Sequence, residues 1–354
     1  MADLPHDRPT PFLLVDDGLV TANVTAMAES AQRRGLALRP HAKTHKSADI
    51  ARLQLDAGAV GLTVATVAEA EVFADAGCDD LFVAYPLWVD AAKGTRLRDV
   101  SSRVSLTIGI DSVTGALALA AQLPGARALV EVDSGQHRSG TAPSGAGALA
   151  EVATRAGLDV AGVFTFPGHS YAPGVAATVA AEEAVALRDA ARSMREHGVD
   201  PAVVSGGSTP SAAAADGDVL TELRPGVYVF GDAQQWELGT ISPDSIALTC
   251  LATVVSHGSS SEGHVVLDAG SKALGADRAA WATGFGRILD HPEARITSLS
   301  EHHAVVAWDR CPTPELGSRL RVVPNHVCVA VNLTDELVLT EGGRWRVHAR
   351  GANT

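Results

Sequence analysis

Arg39-Pro40-His41-Ala42-Lys43-Thr44-His45-Lys46 puts two lysines and two histidines within eight residues. The segment lies between a short apolar run, Leu36-Ala37-Leu38, and a stretch with helical spacing from Ser47. In α/β proteins, strand ends and helix starts meet in the crevice where ligands bind. A lysine among other cations loses its proton more readily, as an amine nucleophile forming a Schiff base must. If the segment runs on extended, His41, Lys43 and His45 share one face. The plainer reading is a basic surface loop.

Four other stretches have residues suited to chemistry. Val204-Ser205-Gly206-Gly207-Ser208-Thr209-Pro210 follows an apolar run and opens a short helical piece. Glycines let a backbone approach an anion, and the free N–H groups of a helix start bind phosphate. A simple glycine turn is the alternative. Glu131 to Gly140, which includes Arg138, and Gly162 to Tyr171 crowd polar residues after two further apolar runs. His169 and Tyr171 are the reactive candidates there. Finally, His326 and Cys328 in Asn325-His326-Val327-Cys328 would point to one side of a strand and could share a metal ion. Such a pair is ordinarily a core cysteine beside a chance histidine.

The elements that must position these residues alternate. Apolar runs at 12–15, 36–39, 60–64, 81–84, 104–110, 127–132, 160–164 and 202–204 are each followed by a helical segment. Eight strand–helix units with continuous apolar strands predict a (β/α)8 TIM-type barrel. An open doubly wound sheet ranks second, because no GxGxxG follows the first strand. After Gly231 long helices vanish, and strand-like runs at 246–255, 263–268, 304–308, 320–323, 326–332 and 337–340 predict an all-β domain. The expected organisation is a barrel over 14–235 and a C-terminal β domain over 236–354, with residues 1–13 joining the latter.

Composition excludes several function classes. A net charge of -13 gives no basic surface for nucleic acid. No stretch approaches the ~18 apolar residues of a membrane span. Met1 to Thr10 carries no apolar signal-peptide core. Cys78, Cys250, Cys311 and Cys328 are scattered without a disulfide framework, so a cytoplasmic location is expected.

Taken together, RPHAKTHKS (39–47), GGSTP (206–210), RPGVYVFGD (224–232) and NHVC (325–328) followed by Val331-Asn332-Leu333 resemble the D-serine dehydratase and D-threonine aldolase family. These are pyridoxal-phosphate enzymes with an alanine-racemase-like barrel (fold type III), and the resemblance spans essentially the whole chain. It implies that Lys43 holds pyridoxal 5'-phosphate and that Gly207, Ser208 and Thr209 cradle its phosphate. It also implies that Tyr171 contacts the cofactor, that Arg138 approaches its phenolic oxygen, and that His326 and Cys328 bind a divalent metal, zinc. The aldolases resemble HxD where this chain has HxC, which favours dehydration of a D-β-hydroxy amino acid to a 2-oxo acid and ammonia. The alternative is retro-aldol cleavage to glycine and an aldehyde, with His169, in Gly168-His169, as the base. A homodimer is implied as well. Phe164 stands where some dehydratases carry a second tyrosine, His302-His303-Ala304 where Glu-His-Gly is common, and Val-Ala where Pro-Thr usually follows the second ligand. A non-catalytic cofactor carrier of this barrel type would lack the β domain. A racemase would want a tyrosine base from that domain, and Tyr85, Tyr171 and Tyr228 are the chain's only tyrosines.

Overall fold

The computed structural model describes residues 8–258, 263–309 and 312–354. Met1 to Asp7 and Cys311 lie outside the described residues. The chain divides into a barrel unit (25–43, 50–226 and 352–354) and a β-rich unit (1–24, 44–49 and 227–351). The chain passes from one to the other five times, once at the Lys43–Thr44 peptide bond.

In chain order the first elements are strand β1 (Phe12–Val15), which belongs to the β-rich unit, and helix α1 (Asp17–Arg33). The barrel unit then holds eight parallel strands, β2 (Ala37–Leu38), β3 (Leu62–Val64), β4 (Asp80–Pro86), β5 (Ser105–Ile110), β6 (Arg127–Glu131), β7 (Asp159–Phe164), β8 (Val203–Gly206) and β9 (Glu222–Leu223). Neighbours follow chain order, β2 lies beside β9, and a parallel bridge between His41 and Thr63 joins the β2 and β3 edges. Between strands run α2 (Ala48–Asp56), α3 (Val67–Asp75), α4 (Ala91–Ser101), α5 (Val113–Gln122), α6 (Ala146–Arg155) and α7 (Ala176–Glu196). Thr66, Asp90 and Ser112 start α3, α4 and α5 by accepting a backbone N–H three residues on. The TIM-type barrel is as expected, but two of its members differ. Phe12–Val15, expected as the first barrel strand, pairs instead with strands of the β-rich unit. Glu222–Leu223 takes the vacant place in the count. A buried apolar run looks the same in either kind of sheet, and two residues are too few to show a period.

The barrel core carries a charged layer. Arg39 donates to Glu222 Oε2 and Asp80 Oδ1, each at 2.7 Å, and Ser205 Oγ donates to Glu222 Oε1 at 2.5 Å. Arg224, buried, donates to Ser205 Oγ and the Thr165 carbonyl and covers Phe82 and Phe164. Removing one partner of a buried ion pair leaves an uncompensated charge. Arg39→Ala, which leaves the buried Glu222 carboxylate with Ser205 and the Arg224 charge alone, is therefore expected to lower stability by about 2–3 kcal/mol. The check is urea unfolding of the variant against the parent chain.

The β-rich unit contains β10 (Leu248–Ser256), β11 (His264–Leu267), β12 (Gly286–Ile288), β13 (His291–Leu299), β14 (Ala304–Ala307), β15 (Arg319–Pro324), β16 (Glu336–Leu339) and β17 (Arg344–Arg346). Pairings of β10 with β15 and with β11 close β10-β15-β12-β13-β14-β11 into an antiparallel ring. β1 lies against β10, then β16 and β17 follow. Short helices α8 (Ala233–Glu237), α9 (Ser271–Leu274) and α10 (Val327–Asn332) complete the unit. Residues 326–332 were expected as a strand and are a helix. Val327, Ala330 and Val331 are the buried positions, a helical spacing that overrides the β-branched composition. Tyr228, buried, groups with this unit, so a lack of tyrosines there is no argument against a racemase. No helix among the described residues is long and apolar enough to cross a membrane.

Candidate active site

Beyond β2 the backbone stays beside β9 as far as His41, the Arg39 and His41 N–H groups donating to the Leu223 and Pro225 carbonyls. His41 makes its one bridge to Thr63, and Ala42–Thr44 then turn as a single 3-10 turn. The Lys43 N–H donates to His41 Nδ1 at 3.4 Å across that turn. The extended reading therefore fails at Ala42, and His41, Lys43 and His45 do not share a strand face. Lys43 is half-buried, and its Nζ lies 5.4 Å from the centre of the Phe166 ring. Arg138, exposed, brings its guanidinium to 5.1 Å from the same ring, and Tyr171 stands 6.3 Å away, tilted at 44°. Phe166 thus gathers three of the expected residues. Phe164, singled out from the sequence, is instead 1% exposed and packs edge-on against Phe82. Only the three-dimensional placement of a ring two residues past a strand end reveals Phe166.

His169 sits in the next turn, Gly168–Ser170. Its Nε2 pairs with Glu182 Oε2 of α7 at 3.1 Å, while Nδ1 is buried without a hydrogen-bond partner. A histidine held by a carboxylate on one nitrogen and bare on the other is suited to accept a proton from a ligand.

The Gly206-Gly207-Ser208-Thr209-Pro210 loop follows β8, the seventh barrel strand, and all of it is buried. Gly207 has φ +80°, a left-handed conformation that favours glycine. Its N–H donates to Glu183 Oε1 of α7 at 2.7 Å. A Cβ on Gly206 would lie 2.3 Å from that same oxygen, so the glycine pair accommodates Glu183. Ser170, Ser208 and Ser211 form a hydroxyl chain, with Ser208 Oγ 2.8 Å from Ser170 Oγ and 2.9 Å from Ser211 Oγ. Hydroxyl protons rotate to suit a ligand. This buried, hydroxyl-lined, glycine-hinged loop fits a phosphate group, with Gly207 serving as the hinge while its amide is held by Glu183. Glu183, Ser170 and Ser211 carry no local signal in the sequence.

In the β-rich unit, His326 is the N-cap residue of α10 and Cys328 lies in its first turn. The pair therefore belongs to a helix start, not a strand. Asp277 Oδ2 lies 2.5 Å from His326 Nδ1, leaving Nε2 for another partner. Asp232, in the RPGVYVFGD segment, caps α8 through Gln235 N–H and accepts the Val327 N–H at 3.2 Å. It thereby fixes the turn between the two candidate ligands. Thr44 Oγ1 lies 3.4 Å from Cys328 Sγ. Burial works against a charged His326, but Cys328, Asp277 and Asp232 outweigh it and push the imidazole up to about 11. Burial pushes the Asp232 carboxyl up to about 6. Among the described residues no three His, Cys, Asp or Glu side chains are grouped to hold a metal. What the pair offers is one imidazole nitrogen and one sulfur, donor types that suit zinc, with the Asp277 carboxylate behind the histidine.

Of the two nearby lysines, Lys46 is already engaged. It is 5% exposed and donates to Asn332 Oδ1 at 2.8 Å.

Comparison with known proteins covers both parts of the chain. Residues 15–234 match the family described as "Alanine racemase, N-terminal domain", and residues 247–340 match the "Putative serine dehydratase domain". The D-threo-3-hydroxyaspartate dehydratase of Delftia sp. (strain HT23) is 34% identical over 93% of this chain and 93% of its own. Its structure superposes with a TM-score of 0.88 at 31% identity, covering 96% and 97% of the two chains, and one of its mutants is described in a metal-free form. The D-threonine aldolase of Arthrobacter sp. is 34% identical over 97% of this chain and 93% of its own. The structure of the D-threonine aldolase from Filomicrobium marinum has a TM-score of 0.88 at 28% identity, covering 98% and 97%.

Proposed function

The chain belongs to the alanine-racemase-like family of D-serine dehydratases and D-threonine aldolases, and from that membership we propose a pyridoxal-phosphate- and metal-dependent lyase that dehydrates a D-β-hydroxy amino acid to a 2-oxo acid and ammonia. The observation that carries this reading is the His326–Cys328 pair, oriented by Asp277 at 2.5 Å, with a thiol where the aldolase pattern has a carboxylate.

Each residue has a role in the proposal. Lys43 would hold the cofactor through its amine, and the same amine would be the base that takes the substrate's α-proton. Arg138, Tyr171 and Phe166 would line the cofactor site, and Ser208 and Thr209 would hold its phosphate on the hinge at Gly207. Bound there, the cofactor supplies an electron sink for charge developing at the substrate's α-carbon. His326 and Cys328 would hold a divalent ion, zinc by their donor types, and the chemistry such an ion would supply is Lewis-acid assistance to departure of the β-hydroxide. Loss of the α-proton and the hydroxide leaves an enamine, which water converts to the 2-oxo acid and ammonia. A homodimer in the cytoplasm is part of the same proposal, and light scattering of the purified chain checks the dimer.

The second reading is aldol cleavage, favoured by His169. Its bare Nδ1, with Glu182 on Nε2, suits removal of a β-hydroxyl proton, after which the Cα–Cβ bond breaks. Product analysis separates the two. Zinc- and cofactor-loaded protein given D-threonine is expected to release ammonia and 2-oxobutanoate. Glycine and acetaldehyde would replace dehydration with the aldolase reading.

A further inference from the structure

Glu183 projects from α7 beneath the glycine loop and is 0% exposed. One carboxyl oxygen accepts the Gly207 N–H at 2.7 Å, and the other, Oε2, is buried with no hydrogen-bond partner. Gly206 has no room for a side chain because of this same group. A buried carboxyl is thus built into the foot of the loop assigned above to a phosphate. Nothing in that chemistry uses it. A carboxylate one hydrogen bond from the loop backbone would repel a phosphate dianion, whereas the neutral acid would not.

We propose that Glu183 is a positioning residue that holds the phosphate loop through Gly207 and admits a phosphate dianion as the neutral acid. The inference rests on the cofactor reading above and deepens it. Burial pushes the Glu183 carboxyl up to about 7, opposed by the Gly207 N–H and by Arg224. Arg224 itself interacts with Glu222, Glu131 and Arg39, so its charge is shared across the barrel core. Charged groups on the elements packed against α7 are paired elsewhere: His169 with Glu182, Asp216 with Arg188, and Arg155 with Glu151. The sign follows from the raised value. Stability from the neutral carboxyl is complete below its ordinary value of 4.5 and is lost as pH rises through about 7. A bound dianion raises the carboxyl further, so binding takes up a proton and weakens with pH.

The test compares dissociation constants of pyridoxine 5'-phosphate and of pyridoxine, which lacks the phosphate, from pH 7 to 9; neither has an aldehyde, so neither closes a hemiacetal or forms a Schiff base. Amine and ring ionisations are common to both ligands and cancel in the ratio, and the phosphate stays a dianion over this range. In the wild-type chain the phosphate ester's advantage is expected to shrink about fiftyfold, because one linked proton on a group titrating near 7 leaves only about a hundredth of the carboxyls neutral at pH 9 against half at pH 7. Glu183→Gln keeps an acceptor for Gly207 and cannot ionise, so its ratio is expected to stay flat. A flat ratio in the wild-type chain, or an equal slope in Glu183→Gln, overturns the inference while leaving the cofactor assignment intact. The wild-type arm decides the matter even if the variant does not fold. No preference for the phosphate ester at any pH would overturn both the inference and the reading beneath it.

Discussion

Lys43→Ala is expected to lose the visible absorbance that pyridoxal phosphate acquires on the parent chain and to lower turnover about 10³-fold or more, whereas Lys46→Ala keeps the absorbance. A positioned acid–base group contributes roughly 10² to 10⁴ in rate, and in the proposed reaction the same amine also anchors the cofactor. Geometry separates the two lysines. Lys43 lies on the 3-10 turn beyond the bridge at His41, with its amine 5.4 Å from the Phe166 ring that Arg138 and Tyr171 also approach. Lys46 has a positive φ of 51° and donates its ammonium to Asn332, a structural use. Its loss should appear in the urea midpoint, not in the spectrum. Absorbance retained in Lys43→Ala and lost in Lys46→Ala would transfer the cofactor to the second lysine. Phe166→Ala offers an intermediate case, with the linkage retained but the cofactor held less tightly.

What the sequence disclosed of this arrangement depended on how local each signal is. The barrel was legible because long apolar runs alternating with helical spacing need only neighbouring residues to be read. Membership of each strand was less so. Phe12–Val15 is as apolar as a barrel strand, and only its partners Leu248–Leu251 and Val338–Leu339 reveal its sheet. Lys43, the glycine loop and the His-x-Cys pair stood out because residue types unusual in a core were clustered. Their supports did not. Glu183 precedes Gly207 by 24 positions on a helix whose acidic residues read as a solvated face, and Asp277 precedes His326 by 49. Neither distance is a helical or strand period, so no pattern marks them. The helix at 327–332 was hidden for another reason. Its valines favour strands intrinsically, yet Asp232 receives the Val327 N–H and the burial pattern completes the turn.

Those long-range supports matter most at the His326–Cys328 pair, where the second large effect is expected. Cys328→Ala should lose bound zinc and lower ammonia release about 10² to 10³-fold, the consequence of forgoing several kcal/mol of leaving-group stabilisation. Chelation of the parent chain should have the same effect and be reversed by zinc. Asp277→Ala, which removes only the carboxylate behind His326, should weaken metal affinity about 10 to 100-fold without abolishing the activity at saturating zinc. The steps can be told apart because the proposal gives the α-proton to Lys43 and the hydroxide to the metal. In deuterated buffer, the Cys328→Ala protein should still exchange the substrate's α-proton while ammonia release falls, and its cofactor absorbance should be unchanged. Loss of both exchange and elimination would mean that the pair supports the cofactor site and not the leaving group. Full zinc content with unimpaired ammonia release would remove His326 and Cys328 from the chemistry altogether. The Cys328 thiol would then be what its neighbours Thr44 and His326 make of it, a hydrogen-bonding residue at a helix start.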